Sequence, residues 1–142
     1  MRPARRMFCL MVLAAASGAQ SGRPAQAQQS AGTAPDWQAQ PLRLMMVEER
    51  GCIYCARWDA EIGPGFAGSA EGRTAPLMRV DIDGPWPDGI VLASRPVLTP
   101  TFILLDKGVE LDRIEGYVGA AYFYPVLAEM MMNAGLTTGP GK

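Results

Sequence analysis

Four stretches of the chain have the hydrophobic pattern of β-strands. Residues 42–47 form an apolar run of strand length, although their Leu and Met content is also compatible with a helix, and residues 77–82 alternate. Residues 101–105 are nearly all apolar, as expected for a strand that is buried on both faces of a sheet. A turn sequence at residues 106–108 then predicts a hairpin, with residues 109–114 as the returning strand.

Helical patterns alternate with these strands. A short helix with one apolar face is predicted from Cys52 to just before Gly63, and one or two further turns at residues 66–71. Residues 83–89 are rich in Gly and Pro and predict a loop, after which a brief helix is predicted at residues 90–94. The last predicted helix, residues 122–133, carries Pro125 in its first turn and stops at Gly135. This order predicts one α/β domain, a central mixed β-sheet with helices on both faces.

The first 27 residues have the composition of an export signal. A basic leader precedes an apolar run at residues 7–16, which is too short to span a bilayer. A small-residue site predicts cleavage after Ala27, with Ala19 as an alternative, and a buried N-terminal helix is the competing interpretation. We therefore expect a cleaved signal peptide at 1–27, a flexible arm at 28–40, the folded domain at 41–136 and a flexible tail at 137–142.

Charge limits the partners of the exported chain. The whole sequence has a net charge of −1, and loss of residues 1–27 removes four arginines and no acid, which leaves −5. An acidic protein of this kind is not expected to bind nucleic acid or an anionic membrane. No later apolar segment is long enough to span a bilayer, so we expect a soluble periplasmic protein without a stable membrane anchor.

Cys52-Ile53-Tyr54-Cys55 is the candidate reactive motif. The third cysteine, Cys9, falls in the predicted signal peptide. Amides at a helix N-terminus favour an anion and lower a thiol pKa, so Cys52 is the candidate nucleophile. Cys55, one turn later on the same face, can resolve a mixed disulfide. A structural disulfide is the competing interpretation, although a pair this close closes a small loop and stabilises a domain little.

Metal and hydrolase chemistry fit the sequence less well. A zinc site needs about four ligands, and the chain has no histidine, so a metal centre would require a dimer interface. The missing histidine also excludes a Cys–His hydrolase. We therefore expect no metal and no cofactor other than a redox-active Cys52–Cys55 disulfide.

The cysteine motif after the first core strand, and Thr99-Pro100-Thr101 before an apolar strand, resemble the thioredoxin superfamily. The resemblance implies a thioredoxin-like fold for residues 41–136 and a cis peptide bond before Pro100, beside the cysteine pair. It also implies that the backbone before Pro100 pairs with an extended substrate segment. Thr99, Pro100, Ile53 and Tyr54 are therefore the candidate substrate-binding residues.

A narrower resemblance is carried by residues 48–58, residues 96–102 and the pair Gly116-Tyr117. These segments resemble the SoxS group, the periplasmic thioredoxins of bacterial sulfur-oxidation gene clusters. The resemblance implies a reductase that keeps the sulfur carrier SoxYZ in its thiol state and receives electrons from a membrane thiol transporter of the CcdA type. A general periplasmic reductase or isomerase, for instance in cytochrome c maturation, and a redox-inactive binding module remain the alternatives.

The chain also departs from ordinary thioredoxins near the cysteines. Gly51 replaces the tryptophan before the first cysteine, and Met46 stands where thioredoxins have a buried acid for proton transfer. Glu48 or Glu49 is the candidate substitute, although two acids in a loop are more often simply solvated. The lack of a histidine between the cysteines favours a reductase over an oxidase.

Two further groups of residues attract attention. Arg57 and Trp58 follow the cysteine pair on the predicted helix, so we expect them to border the active surface. The run at residues 130–132 consists of three methionines, which invites a copper site. Consecutive helical positions point in different directions, however, so core packing is the expected role of these methionines.

Overall fold

The computed structural model describes residues 34–137, and all structural statements below refer to this part of the chain. The predicted signal peptide, residues 28–33 of the predicted arm and the tail beyond residue 137 lie outside it. Within the described part, no helix is long and apolar enough to cross a membrane.

A four-stranded mixed sheet forms the centre of the described domain. β1 (Leu42–Glu48) pairs in parallel with β2 (Leu77–Asp81) and antiparallel with β3 (Thr101–Asp106), and β3 pairs antiparallel with β4 (Val109–Glu115). The spatial order of the strands is β2-β1-β3-β4. The four predicted strands are confirmed, with ends that differ by one residue.

The helices match the prediction in part. α1 (Ile53–Glu61) and α4 (Ala120–Asn133) correspond to the two longer predicted helices. Two short helices, α2 (Gly63–Phe66) and α3 (Ala70–Thr74), replace the turns predicted at residues 66–71. Ser69 separates them, because its hydroxyl oxygen accepts a hydrogen bond from the N–H of Gly72 at 2.9 Å and caps α3.

The last helix begins two residues earlier than predicted. Gly119, with a φ of 89°, precedes its first residue, so Pro125 falls in the second turn and not in the first. Proline lacks an N–H, so the helix lacks one backbone hydrogen bond there. The predicted stop at Gly135 is confirmed: its φ is 76°, and the N–H of Leu136 donates to the carbonyl of Met131 at 2.9 Å.

One face of the sheet, called the helical face below, packs against α1, α2 and α4. Leu44, Met46, Phe102 and Leu104 contribute the sheet side of this cluster. Its centre is aromatic: Phe123 of α4 lies 5.0 to 6.4 Å, between ring centroids, from the rings of Trp58, Phe66 and Phe102. Met130 and Met131 are buried in the same cluster, which confirms their predicted core packing.

The opposite face, called the loop-covered face below, has no helix over it within the described residues. Its buried side chains come from the strands, and its cover consists of residues outside the helices, among them Trp37, Trp86, Ile90 and Leu92. The prediction of helices on both faces is therefore wrong for this face. Four prolines among residues 83–100 explain the absence of a helix there, because proline removes a backbone donor and clashes with the preceding turn.

The brief helix predicted at residues 90–94 is also wrong. Val91 forms an isolated parallel bridge with Val109 of β4. The N–H of Val91 donates to the carbonyl of Gly108 at 2.9 Å, and its carbonyl accepts from the N–H of Glu110 at 3.0 Å. A helix this short is unfavourable alone, so pairing with the open edge of β4 satisfies the backbone better.

Packing begins before the boundary predicted at Pro41. The carboxylate of Asp36 accepts hydrogen bonds from the N–H groups of Gln38 and Ala39, both at 3.0 Å, and shapes a turn. Trp37 in this turn packs on the loop-covered face. The part of the predicted arm within residues 34–40 is thus anchored to the domain, because one tryptophan buries a large apolar area.

Candidate active site

The cysteine pair lies where β1 passes into α1. Gly51, with a φ of 81°, makes the turn, and Cys52 is the N-cap residue of α1. The sulfur of Cys52 accepts a hydrogen bond from the N–H of Cys55 at 3.1 Å. The two cysteines form a disulfide, with their Cα atoms 5.3 Å apart. The Cys52 sulfur therefore takes the place that a capping oxygen usually has, where the free amides of a helix favour a negative charge.

The two sulfur-bearing residues differ in access. Cys52 is half-buried, whereas Cys55 is 4% exposed and belongs to the core cluster of the helical face. A disulfide on another protein can approach Cys52 but not Cys55. The two cysteines are thus suited to different steps of an exchange reaction.

The loop that contains Thr99 and Pro100 leaves the same end of the sheet. Val47 of β1 pairs with Thr101 of β3, so the start of β3 lies beside the end of β1 that leads to Cys52. The peptide bond between Thr99 and Pro100 is cis, Pro100 is buried and Thr99 is half-buried. The structure thereby brings the cysteine motif and the Thr99-Pro100 loop to one edge of the molecule.

A third loop, residues 116–119, joins the other two at this end. Thr101 pairs with Glu115 at the end of β4, and the N–H of Gly116 donates to the carbonyl of Pro100 at 2.8 Å. The disulfide therefore lies at an end of the sheet from which three loops emerge.

Comparison with known proteins identifies this arrangement. No protein-family model and no curated protein matches the chain. Among solved structures, the periplasmic thioredoxin SoxS from Paracoccus pantotrophus, in its reduced form, is 48% identical with a TM-score of 0.64, and the match covers 66% of this chain and 98% of SoxS. The chain belongs to the thioredoxin superfamily. With its Cys52–Cys55 pair, this thioredoxin is a thiol–disulfide oxidoreductase.

Two more distant structures also match the thioredoxin. A thioredoxin from Fasciola hepatica is 16% identical with a TM-score of 0.44, over 64% of this chain and 82% of that one. A thioredoxin-fold protein from Helicobacter pylori is 19% identical with a TM-score of 0.49, over 68% of this chain and 71% of that one. Neither similarity contributes to the assignment.

Exposed apolar side chains lie on the segments that meet at the disulfide end of the sheet. Ile53 is 73% exposed and Val97 is 80% exposed, although burial would favour both. Such side chains occur in the cysteine motif, the cis-proline loop, residues 116–119 and the first turn of α4, and they are called the apolar surface below; its members are Ile53, Tyr54, Val97, Leu98, Val118 and Tyr122. The last four were not predicted as site residues; for Val97 and Leu98 the available signal was an apolar pair directly before Thr99-Pro100.

The acids near the cysteines have other partners. Met46, at the position of the thioredoxin acid, is fully buried. Both carboxylate oxygens of Glu48 accept from the guanidinium of Arg79, which also donates to Asp59 of α1 at 2.7 and 3.0 Å. These bonds, first that of Glu48 and then that of Asp59, raise the pKa of Arg79 above its ordinary value. Glu48 thus ties β1 to β2 and α1, while Glu49 is exposed.

Arg57 and Trp58, both predicted to border the active surface, differ in their exposure to solvent. Trp58 is fully buried, so the prediction for it is wrong: it lies one turn after Cys55 and faces the sheet with it. Arg57 is exposed and donates to Glu61 at 2.9 Å, which raises the pKa of Arg57.

Tyr117 links the third loop to this pair. Its hydroxyl donates to the second carboxylate oxygen of Glu61 at 2.7 Å, and Glu61 is the last residue of α1. Burial, followed by the bond to Glu61, raises the pKa of Tyr117 to about 12. The bond from Tyr117, followed by that from Arg57, lowers the pKa of Glu61. No local sequence pattern predicts this contact, because Glu61 and Tyr117 are 56 residues apart.

Metal-binding groups are lacking in the part of the chain that the structure describes. No group of three or more His, Cys, Asp or Glu side chains there could hold a metal ion. Of the three methionines at residues 130–132, Met132 alone is exposed, so the predicted core packing is wrong for Met132 and the three side chains do not converge on one site.

Proposed function

We propose that this thioredoxin is a periplasmic reductase that keeps a sulfur-carrier protein of the SoxYZ type in its thiol state. The similarity to SoxS carries the proposal, because it extends over 98% of that periplasmic protein at 48% identity. A cleaved signal peptide at residues 1–27 is part of the proposal and would deliver the domain to the periplasm.

The reaction begins with Cys52. In the reduced enzyme, the Cys52 thiolate attacks one sulfur of the substrate disulfide, and the substrate bond breaks to release a thiolate on the other sulfur. The position of Cys52 as N-cap of α1 supports this role, since the helix amides favour the thiolate. Partial exposure of Cys52 gives the incoming disulfide access.

Cys55 completes the reaction. Its thiolate attacks the Cys52 sulfur of the mixed disulfide, which releases the second substrate thiol and forms the Cys52–Cys55 bond. The enzyme has then given two electrons to its substrate. Burial of Cys55 supports its assignment as the resolving thiol, because it can reach Cys52 but not a separate protein.

The surface around the disulfide fits a protein substrate. Exposed Ile53 and Tyr54 offer apolar contacts on one side, and Thr99 and Pro100 line the other. We propose that an extended substrate segment pairs with the backbone at Thr99. Apolar contacts of this kind hold the segment while the sulfurs react.

The oxidised enzyme must be reduced again. We propose that a membrane thiol transporter of the CcdA type supplies the two electrons by the same exchange chemistry in reverse. No cofactor other than the Cys52–Cys55 disulfide enters this cycle.

The test is a trap with the Cys55→Ser variant in a periplasmic extract of the native host. Without its resolving thiol, the variant should hold its substrate on Cys52 as a stable mixed disulfide, which mass spectrometry identifies. The matched control is the variant with both cysteines changed to serine, which should capture nothing.

The captured proteins decide between the candidate roles. Capture of a SoxY-type subunit supports the proposal. Capture of many unrelated periplasmic proteins would instead identify a general reductase or isomerase. Equal recovery with the double variant would contradict exchange chemistry at Cys52.

A further inference from the structure

The loop at residues 116–119 has little intrinsic stiffness. It begins and ends with glycines whose φ values are 84° and 89°, a region in which glycine is unstrained and flexible. Gly119 is the N-cap of α4 and offers no side chain to satisfy the free amides of that helix. Val118, between these glycines, is nevertheless exposed and belongs to the apolar surface at the disulfide end of the sheet. Some other group must fix the loop if Val118 is to meet a substrate in a defined place.

Tyr117 has two anchors that could serve this purpose. Its ring packs on Phe123, with ring centroids 6.1 Å apart. Its hydroxyl donates to Glu61 at 2.7 Å. Within the described residues, this is the only side-chain hydrogen bond between loop 116–119 and another element. The ring fixes where Tyr117 lies, and the hydroxyl joins it to the helix that begins at the cysteines.

Glu61 is the meeting point of several elements. One of its carboxylate oxygens accepts from Arg57, one turn earlier in α1, and the other accepts from Tyr117. The N–H of Ala120, the first residue of α4, also favours the charged form of this carboxylate. Glu61 thus supplies from α1 the negative charge that the start of α4 lacks.

We propose that Tyr117 is a positioning residue for substrate docking, in which its hydrogen bond to Glu61 holds loop 116–119 against α1 and fixes Val118 at the end of the sheet where the disulfide lies. The kinetic part of this inference rests on the proposed reductase function. The pKa of Tyr117 lies well above neutral and that of Glu61 below its ordinary value, so phenol and carboxylate keep these donor and acceptor roles at neutral pH.

The first test compares Tyr117→Phe with Tyr124→Phe. Each variant loses one hydroxyl and keeps a ring in contact with Phe123. Tyr124 makes no side-chain hydrogen bond within residues 34–137, so it is a matched control. Hydrogen exchange at the amides of Gly116 and Tyr122, which donate to the carbonyls of Pro100 and Gly119, should accelerate about fivefold in Tyr117→Phe, the effect of roughly one lost hydrogen bond, and stay unchanged in Tyr124→Phe. Unchanged exchange in Tyr117→Phe would overturn the inference.

The second test separates docking from disulfide chemistry. With insulin as the protein disulfide, KM should rise about fivefold in Tyr117→Phe while kcat changes less than about twofold. With hydroxyethyl disulfide, which has no polypeptide segment to dock on loop 116–119, the rate should equal that of the wild type. An equal loss on both disulfides would contradict a docking role and indicate an effect on the cysteines themselves.

Two variants of the acceptor complete the design. Glu61→Gln keeps an oxygen that accepts from Tyr117 and should retain a nearly normal KM for insulin, whereas Glu61→Ala should reproduce the rise. An equal rise in both would overturn the hydrogen-bond explanation. If the wild type reduced neither disulfide, the proposed function would fail, and the hydrogen-exchange result would still decide the role of Tyr117.

Discussion

The helical face and the loop-covered face are built from the same strands but are covered by different means. Neighbouring residues such as Met45 and Met46, or Ile103 and Leu104, are all fully buried and point to opposite faces. On the helical face, aromatic rings from α1, α2 and α4 pack together, and the buried Cys55 belongs to the same cluster. The reactive group therefore rests on rigid, closely packed elements, which is what a site that must hold its geometry requires.

The cover of the loop-covered face is held in place more by side-chain hydrogen bonds, called the polar ties below. The carboxylate of Glu110 accepts from Arg113 at 2.6 and 2.7 Å and from the N–H of Ala93 at 2.8 Å. Arg113 also donates to the carbonyl of Ser94 at 2.8 Å, and Arg95 donates to that of Ile82 at 3.1 Å. Loops cannot satisfy their backbone groups internally as helices do, so side chains must hold them in place. One sheet can thus support a rigid face that carries the chemistry and, on its other side, a cover that is fastened separately.

The largest effect is expected from a substitution that removes the chemistry of the cysteine pair and leaves the packing of the helical face intact. Cys52→Ser should abolish reduction of hydroxyethyl disulfide, since a hydroxyl is no substitute for a thiolate at neutral pH. Cys52 is half-buried and serine is of similar size, so the circular dichroism spectrum should match that of the reduced wild type. Cys55→Ser is the control: it should react once per molecule and then stop. Turnover by Cys52→Ser would contradict its role as nucleophile.

The next largest effect is expected from a substitution that removes part of the aromatic packing of the helical face. Phe123→Ala should lower the free energy of unfolding by about 3–5 kcal/mol, because a fully buried ring leaves a cavity among its aromatic neighbours. Phe123→Leu, which nearly fills the space, should cost less than about 1.5 kcal/mol. Urea unfolding measures both. Equal losses would show that ring volume is not what stabilises this face.

A smaller effect is expected on the loop-covered face. Trp86 is half-buried, and its indole N–H donates to the carbonyl of Ile82 at 3.3 Å. Trp86→Ala should therefore lower the free energy of unfolding by about 2 kcal/mol, less than full burial of a large ring would give. The rate with hydroxyethyl disulfide should not change, since the disulfide lies on the other face. A loss of that rate would show that the two faces are coupled.

The two faces also differ in how far the sequence predicts them. The strands and the longer helices have clear hydrophobic periods, and the cysteine motif with Thr99-Pro100 marks the end of the sheet where the site lies. These signals are local, so they can be read without tertiary structure. The cover of the other face has no such period. Val91 joins β4 through a bridge that no local pattern specifies, and Trp37 anchors a segment whose composition resembles a flexible arm.

The active site, like the fold, was predictable only as far as local sequence signals specify it. Cys52 and Cys55 follow from their spacing at a helix start, but Trp58 shows that a neighbour on the same helix can face the core. The pairing of Glu61 with Tyr117 joins residues far apart in sequence, as does that of Glu48 with Arg79. Such contacts depend on strand order and on side-chain reach, and a hydrophobic pattern contains neither.

The smallest expected effect concerns the polar ties and depends on pH. The hydrogen bonds from Arg113 lower the pKa of Glu110 below its ordinary value of 4.5. Their stabilisation is thus fully present above about pH 4.5 and is lost as the pH falls through the depressed pKa of the folded state. At about pH 6, Glu110→Gln should lower the free energy of unfolding by about 1 kcal/mol, and at an acidic pH below the depressed pKa of the folded state the difference from wild type should shrink, because Glu110 is then protonated in both folded and unfolded states. Urea unfolding at both pH values measures this change.

Glu115→Gln is the control, since Glu115 is half-exposed and 3.7 Å from Arg113, and it should have little effect at either pH. A difference for Glu110→Gln that persists unchanged in acid would show that the carboxylate charge does not fasten the loop.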